Sequence, residues 1–360
     1  MRKSGLHVVF LGTNPASKSG GIANAIPGYI SALDFVGIES SYIVTHDSSH
    51  WSGKVIPWLR SFIFVISIMF RSKESRLIFY LHLGGGWPSV LRKFGIGSFL
   101  RIFRATVVYH LHGPEFDEYL DNRVKRLALK AALSPADILV VLTPWWERRL
   151  TTSGFKKNIR ICPNPLSQEL EEKANTKVAK LIRAREINVL CMTRLELGKG
   201  VDRFIRAMAE LPNYYRGVVA GSGSRRDELF QLVLELGLED RITFVGWVSG
   251  SNKQQLFEES DLFCVPSTYD SFGMGYIEAM ANGLPVVALR YGAIPDVVAH
   301  GKTGFLSHSP NPREIADCLR RLEDSELRRD MGLAGRIWVL KYFSLAAVGN
   351  RLASILSQVK

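Results

Sequence analysis

The chain has 360 residues, 46% apolar and 22% charged, with a formal net charge of +12 and four cysteines. That length exceeds what one hydrophobic core organises, so two domains of ordinary size are expected, and the composition, without repeats or low-complexity runs, excludes a disordered or solenoid protein. Cys162, Cys191, Cys264 and Cys318 are scattered, with no CxxC pair and no histidine at zinc-finger spacing, which excludes a disulfide scaffold and a zinc finger.

In chain order, the opening MRKSGLHVVFLG places charge before apolar residues, but HVVFLG is too short for a signal-peptide core, and a cytoplasmic protein is expected. HVVFLG (7–12) reads as a first strand, followed by the loop GTNPASKSGGIA (12–23). The loop is neither a Walker P-loop nor GxGxxG. Gly20 and Gly21 nevertheless let backbone amides approach a phosphate or an acceptor, while a plain connection accounts for the same residues equally well. AIPGYISALDFVG (25–37) has helical character and SSYIVTHD (40–47) reads as a strand.

The next segment carries the charge. Between Lys54 and Arg104, nine bases (Lys54, Arg60, Arg71, Lys73, Arg76, Arg92, Lys93, Arg101 and Arg104) accompany one acid, Glu74. Within it, VIPWLRSFIFVISIMFRSK has an uninterrupted core, Ser61 to Phe70, shorter than the ~20 apolar residues that cross a bilayer. Two readings fit: a helix buried in an α/β domain, or one lying in a membrane headgroup layer with Trp58 and the flanking bases at the surface. No aromatic-interleaved basic strand or recognition helix points to nucleic acid.

RLIFYLHL (76–83), ATVVYHLHG (105–113) and ADILVVLT (136–143) continue the strand pattern. His112 closes the second of these and precedes Gly113, Pro114 and Glu115; an imidazole at a strand end can hydrogen-bond a substrate, although most lone histidines are structural. His110 shares its face further down the strand. The pattern lapses in ICPNPLSQELEEKANTKVAKLIRAREI, so the boundary falls near residues 165–186, giving domains 1–166 and 167–343, with the terminal amphipathic helix 344–360 packing back on the first.

INVLCMTR, YRGVVAGSG, RITFVGWV, DLFCVPST and LPVVALRYG repeat the strand-and-helix alternation. Two doubly wound α/β domains follow, with ligands expected at the carboxyl ends of the strands and in the cleft between the domains. Arg194 and Lys199, after the strand INVLCM, suit a pair of phosphates, although a surface ion pair of Arg194 with Glu196 is the simpler reading of that spacing. In STYDSFGMGYIEAM (267–280), Asp270 and Glu278 can accept hydrogen bonds from sugar or ribose hydroxyls, and Gly273 and Gly275 allow close backbone approach at a helix start. A capped helix with a solvated glutamate reads the same residues. No D-x-D, G-x-S-x-G or H-E-x-x-H occurs, so no metal is expected, cations must come from the protein, and hydrolase and zinc-enzyme readings fall away.

Taken together, the Gly-Gly-Ile loop, His112–Gly113, Pro163–Asn164, Arg194 with Lys199, Gly221–Gly223, Phe244–Val248 and the acidic pair followed by AMANGLPVV resemble the GT4 family of retaining glycosyltransferases with the GT-B fold, over nearly the whole chain. The resemblance implies metal-independent transfer of a hexose-type sugar from a UDP-sugar or GDP-sugar to a saccharide or lipid-linked saccharide, as in bacterial surface polysaccharide, exopolysaccharide or lipopolysaccharide assembly, with peripheral membrane contact through the basic 54–104 region. By the same resemblance, Arg194 and Lys199 bind the diphosphate, Asp270 with Phe272, Gly273, Met274 and Gly275 holds the sugar, and Glu278 takes the ribose. Val248 lies near the base, Gly20, Gly21 and Gly223 belong to the donor site, and His112 contacts the sugar. The family more often has Glu where Asp270 stands. A non-catalytic nucleotide-sugar-binding subunit and a GT-B epimerase are the alternatives; an epimerase turns over donor without acceptor.

Overall fold

The computed structural model describes residues 5–15, 21–47, 51–71, 76–175 and 186–359. The chain divides into two compact units, Met1–Gln168 with Phe343–Lys360, and Glu169–Tyr342.

The first unit holds six parallel strands, β1 (Leu6–Thr13), β2 (Glu39–His46), β3 (Arg76–Leu83), β4 (Thr106–Leu111), β5 (Ile138–Val141) and β6 (Asn158–Ile161), in the order β2-β1-β3-β4-β5-β6. β5 is buried along its whole length, the mark of a sheet covered on both faces. Phe10, Tyr80 and Val108 meet Tyr29 and Leu33 of α1 (Gly21–Phe35) in one core. The helix Leu345–Ser357 completes that core with Val348, Leu352 and Ile355, and Ser344 caps it by accepting from the Ala347 amide at 3.1 Å. A Cβ on Gly349 would lie 2.2 Å from the Ala32 carbonyl, so the two helices touch at backbone level. By length and composition Ser325–Ser357 could cross a membrane, but half of its most apolar 18-residue window is buried, as in a core helix of a folded domain.

The greasy segment forms α2 (Trp51–Arg71), which packs on α3 (Trp87–Ile102) through Trp58, Phe62 and Phe99, with ring centroids 5.4 and 5.1 Å apart. It is not a buried helix. Among its described side chains only Ser61 and Val65 are fully buried, whereas the stripe Ile56, Leu59, Ile63, Ile66 and Phe70 is open to solvent, Phe70 at 70%. The basic surface is also thinner than the sequence suggests: Lys93 is buried and Arg101 pairs with Asp137 at 2.7 Å. Lys73 and the side chains of Lys54 and Arg71 lie outside the described residues.

The second unit has β7 (Ile187–Met192), β8 (Tyr215–Ala220), β9 (Ile242–Gly246), β10 (Leu262–Val265), β11 (Val286–Leu289) and β12 (Gly304–Ser307), all parallel, in the order β12-β11-β10-β7-β8-β9. The order reverses between β7 and β10, and in open α/β sheets the crevice above such a reversal is where ligands bind. All four cysteines are free thiols.

Candidate functional site

Arg194 and Lys199 lie in the loop that leaves β7, and Asp270 lies in the loop that leaves β10, the two strands flanking that reversal. Glycines bring the loops together. Gly200 has φ +79°, and a Cβ there would sit 2.1 Å from the Pro266 carbonyl; on Gly198, φ +83°, it would sit 2.8 Å from the Tyr269 Cβ. The Gly198 carbonyl accepts from the Thr268 amide at 2.8 Å, and the Ser267 hydroxyl accepts from the Tyr269 amide at 3.0 Å. Lys199, 6% exposed, donates to Asp270 Oδ1 and to the Tyr269 carbonyl, each at 2.7 Å.

Arg194 is exposed, and among the described residues it makes no ion pair. Glu196 turns instead to Ser224, accepting from its hydroxyl at 2.6 Å and its amide at 3.0 Å, and these bonds hold its carboxyl below the usual range. The Ser224 contact pins the loop after β8 to the loop after β7. Gly221 and Gly223 allow this approach, since side chains there would meet the Thr193 and Leu195 carbonyls at 1.8 and 2.3 Å.

The helix Met274–Ala281 begins at Gly273, φ +83°, with Phe272 buried beneath its start. Gly275 lets it approach the sheet, because a Cβ there would stand 3.0 Å from the Phe263 ring. Its first amides, the anchored Lys199 and the exposed Arg194 are the positive groups available to an anion near the switch point. Glu278, on the same helix and 8% exposed, meets Lys253 at 2.8 Å, a partner the sequence reading missed because Lys253 sits in the polar run GSNKQQ. Val248 is half-buried just beyond β9.

In the first unit, Gly21 opens α1, while Gly20 lies outside the described residues. His112 follows β4, 6% exposed, its amide donating to the Leu83 carbonyl at 2.9 Å. His110 shares its face, with ring centroids 4.2 Å apart, and parallel pairing sets His82 of β3 opposite His110. His82 Nδ1 and His112 Nε2 are 2.8 Å apart. Burial pushes the His112 imidazole down to about 3 and holds His82 and His110 well below the usual histidine range, so all three are neutral at pH 7. His82 went unread in the sequence; its signal is the match of YLHL to YHLH on adjacent parallel strands.

Residues 172–338 match the family model described as glycosyl transferases group 1. A D-inositol 3-phosphate glycosyltransferase of Corynebacterium aurimucosum is 31% identical over 258 residues, 66% of this chain and 61% of that protein. An uncharacterized glycosyltransferase of Methanocaldococcus jannaschii is 34% identical over 148 residues, 41% of this chain and 38% of that protein. The chain thus spans less than two thirds of the length of these curated relatives. Among solved structures, a sucrose-phosphate synthase of Thermosynechococcus elongatus matches with a TM-score of 0.79 at 20% identity over 98% of both chains. Anabaena HepE in complex with UDP and glucose matches at 0.73 and 19% identity, over 98% of this chain and 100% of that one. At such identities the likeness shows the fold: GT-B, with two Rossmann-like domains, as the sequence led one to expect.

Proposed function

We propose that this chain, whose residues 172–338 match the family model described as glycosyl transferases group 1, is a retaining, metal-independent hexosyltransferase using a nucleotide diphosphate sugar. The observation that carries the reading is the Lys199–Asp270 pair in the same loop region as Arg194, which makes no ion pair among the described residues, at the strand reversal and next to the start of the helix Met274–Ala281. Arg194 forks across diphosphate oxygens, and Lys199 adds a point charge. Asp270 and the amides of Phe272 to Gly275 hold the sugar, Glu278 takes the ribose hydroxyls, and the backbone near Val248 reads the base. In the first unit, His112 is the residue to which the family resemblance gives a sugar contact.

As the glycosidic bond breaks, negative charge builds on the diphosphate, and Lys199, held beforehand by Asp270 and the Tyr269 carbonyl, stabilises it together with Arg194. A diphosphate oxygen then takes the acceptor's proton on the face from which it left, so the acceptor oxygen bonds to the anomeric carbon with retained configuration. UDP-sugars and GDP-sugars are both candidate donors; HepE, a structural neighbour, holds UDP and glucose. NMR of the product from an α-linked donor tests the mechanism: an α-linkage is expected, and a β-linkage would overturn it.

The acceptor is a saccharide carried on a lipid at the inner face of a bacterial membrane, in surface polysaccharide assembly. This reading is supported by the exposed apolar stripe of α2, with Leu91 and Ile102 of α3 also exposed, at 58% and 76%, and Arg60 and Arg104 exposed in the same region of the chain. An amphipathic surface of that kind lies in the headgroup layer of anionic lipid without spanning the bilayer.

A further inference from the structure

The histidine cluster of the first unit has unspent hydrogen-bonding capacity. Nε2 of His82 is buried and has no hydrogen-bond partner among the described residues, and Nε2 of His110 makes no well-formed hydrogen bond there, the Cys162 backbone being a weak partner of its ring. Buried polar nitrogens are rarely left so in a folded protein, and each such case asks for a ligand or a purpose. His82, His110 and His112 each offer one ring nitrogen such that the three lie within 4.8 Å of one another. Nitrogens bound to one tetrahedral zinc ion lie roughly 3.3 Å apart, from bond lengths of about 2.0–2.1 Å, so modest rotations about χ1 and χ2 gather the set.

The chemistry of the cluster agrees. The Tyr80 hydroxyl, 3.0 Å from His110 Nδ1, supplies the outer hydrogen bond that orients a ligating imidazole. Lys93, fully buried nearby, donates to the Thr45 hydroxyl. A set of three imidazoles without carboxylate or thiolate suits zinc, cobalt, nickel or copper and disfavours magnesium and calcium.

We propose that His82, His110 and His112 form a site for one late first-row divalent cation, and that occupation takes His112 away from the sugar. The second half rests on the role given to His112 above; the first half does not. The cation is inhibitory in this account, and donor chemistry proceeds without it.

Cobalt(II) titration of the EDTA-dialysed full-length protein tests the site. One equivalent is expected to bind with the visible absorption of a four-coordinate ion. Affinity should fall at least tenfold in His82→Ala and in His110→Ala, and stay unchanged in His308→Ala of the second unit. His82→Asn serves where the alanine variant fails to fold by circular dichroism. Absence of stoichiometric binding, or binding indifferent to the His82 and His110 variants, would overturn the site. Zinc should then lower sugar transfer at least tenfold, with recovery on adding EDTA. Cobalt binding as described but without zinc inhibition upholds the cation site and overturns the sugar contact of His112.

Discussion

Lys199 and Asp270, 71 residues apart in the chain, meet at 2.7 Å with side chains only 7% and 18% exposed. The pair lies where β7 and β10 point their carboxyl ends, so one contact joins the two loops that the proposed donor site requires.

Breaking the pair from one side leaves a charge in a poorly solvated place. Asp270→Asn is therefore expected to destabilise the second unit by up to ~3–5 kcal/mol, toward the lower end because Asp270 keeps some water contact. The double variant Lys199→Met/Asp270→Asn should recover part of that loss. Urea unfolding of the four proteins of the cycle measures it, and strict additivity would contradict the coupling.

Gly200→Ala carries a different penalty. At φ +79° any side chain costs roughly 1–2 kcal/mol, and this one would also meet the Pro266 carbonyl at 2.1 Å, so the loop bearing Asp270 must move. Gly237→Ala is the matched control, with φ +63° and nothing within 4 Å of the added carbon. The Gly200 variant should lose more stability and also nucleotide affinity, the Gly237 variant stability alone; equal behaviour would argue against the close packing of the two loops.

Lys93 donates to the Thr45 hydroxyl and is fully buried, and burial is the main cause that pushes its ammonium well below the usual lysine range. A lysine with a lowered folded pKa costs stability as pH falls from its unfolded value of about 10.4 toward the folded one, since only the unfolded chain gains the proton. Lys93→Met is expected to stabilise the protein at pH 8 by ~1–3 kcal/mol. The advantage should shrink as pH rises to 10, and a difference independent of pH would contradict a neutral buried amine.

Vesicles of anionic lipid should bind the protein, and Ile63→Ser/Phe64→Ser should release it, because those side chains are 69% and 54% exposed and give up no core packing. Sedimentation with vesicles at low and high salt reads both contributions. Binding unaffected by the double variant would remove α2 from the contact.

Much of the fold was legible because parallel strands buried on both faces are written as continuous apolar runs, such as ILVV and LFCV. β6 and β12 escaped because NIRI and GFLS carry only two large apolar residues each, too few to read as an apolar run. Arg194, Lys199, Asp270 and Glu278 stood out because each follows a readable strand. His82 did not, because its meaning comes from the β3–β4 register, a long-range pairing that no local pattern encodes. The burial of Lys93 was hidden for a related reason: a lysine on a basic helix ordinarily snorkels to water.

The central claim, a nucleotide diphosphate site built on Lys199, is tested most directly by calorimetric titration of the protein with UDP, GDP and ADP in EDTA, beside a Lys199→Ala variant checked for folding. Micromolar binding of one nucleotide, weakened about ten- to a hundredfold in the variant as for loss of a charged hydrogen bond, is the predicted result. Binding of none of the three, or equal binding by the folded variant, would contradict it.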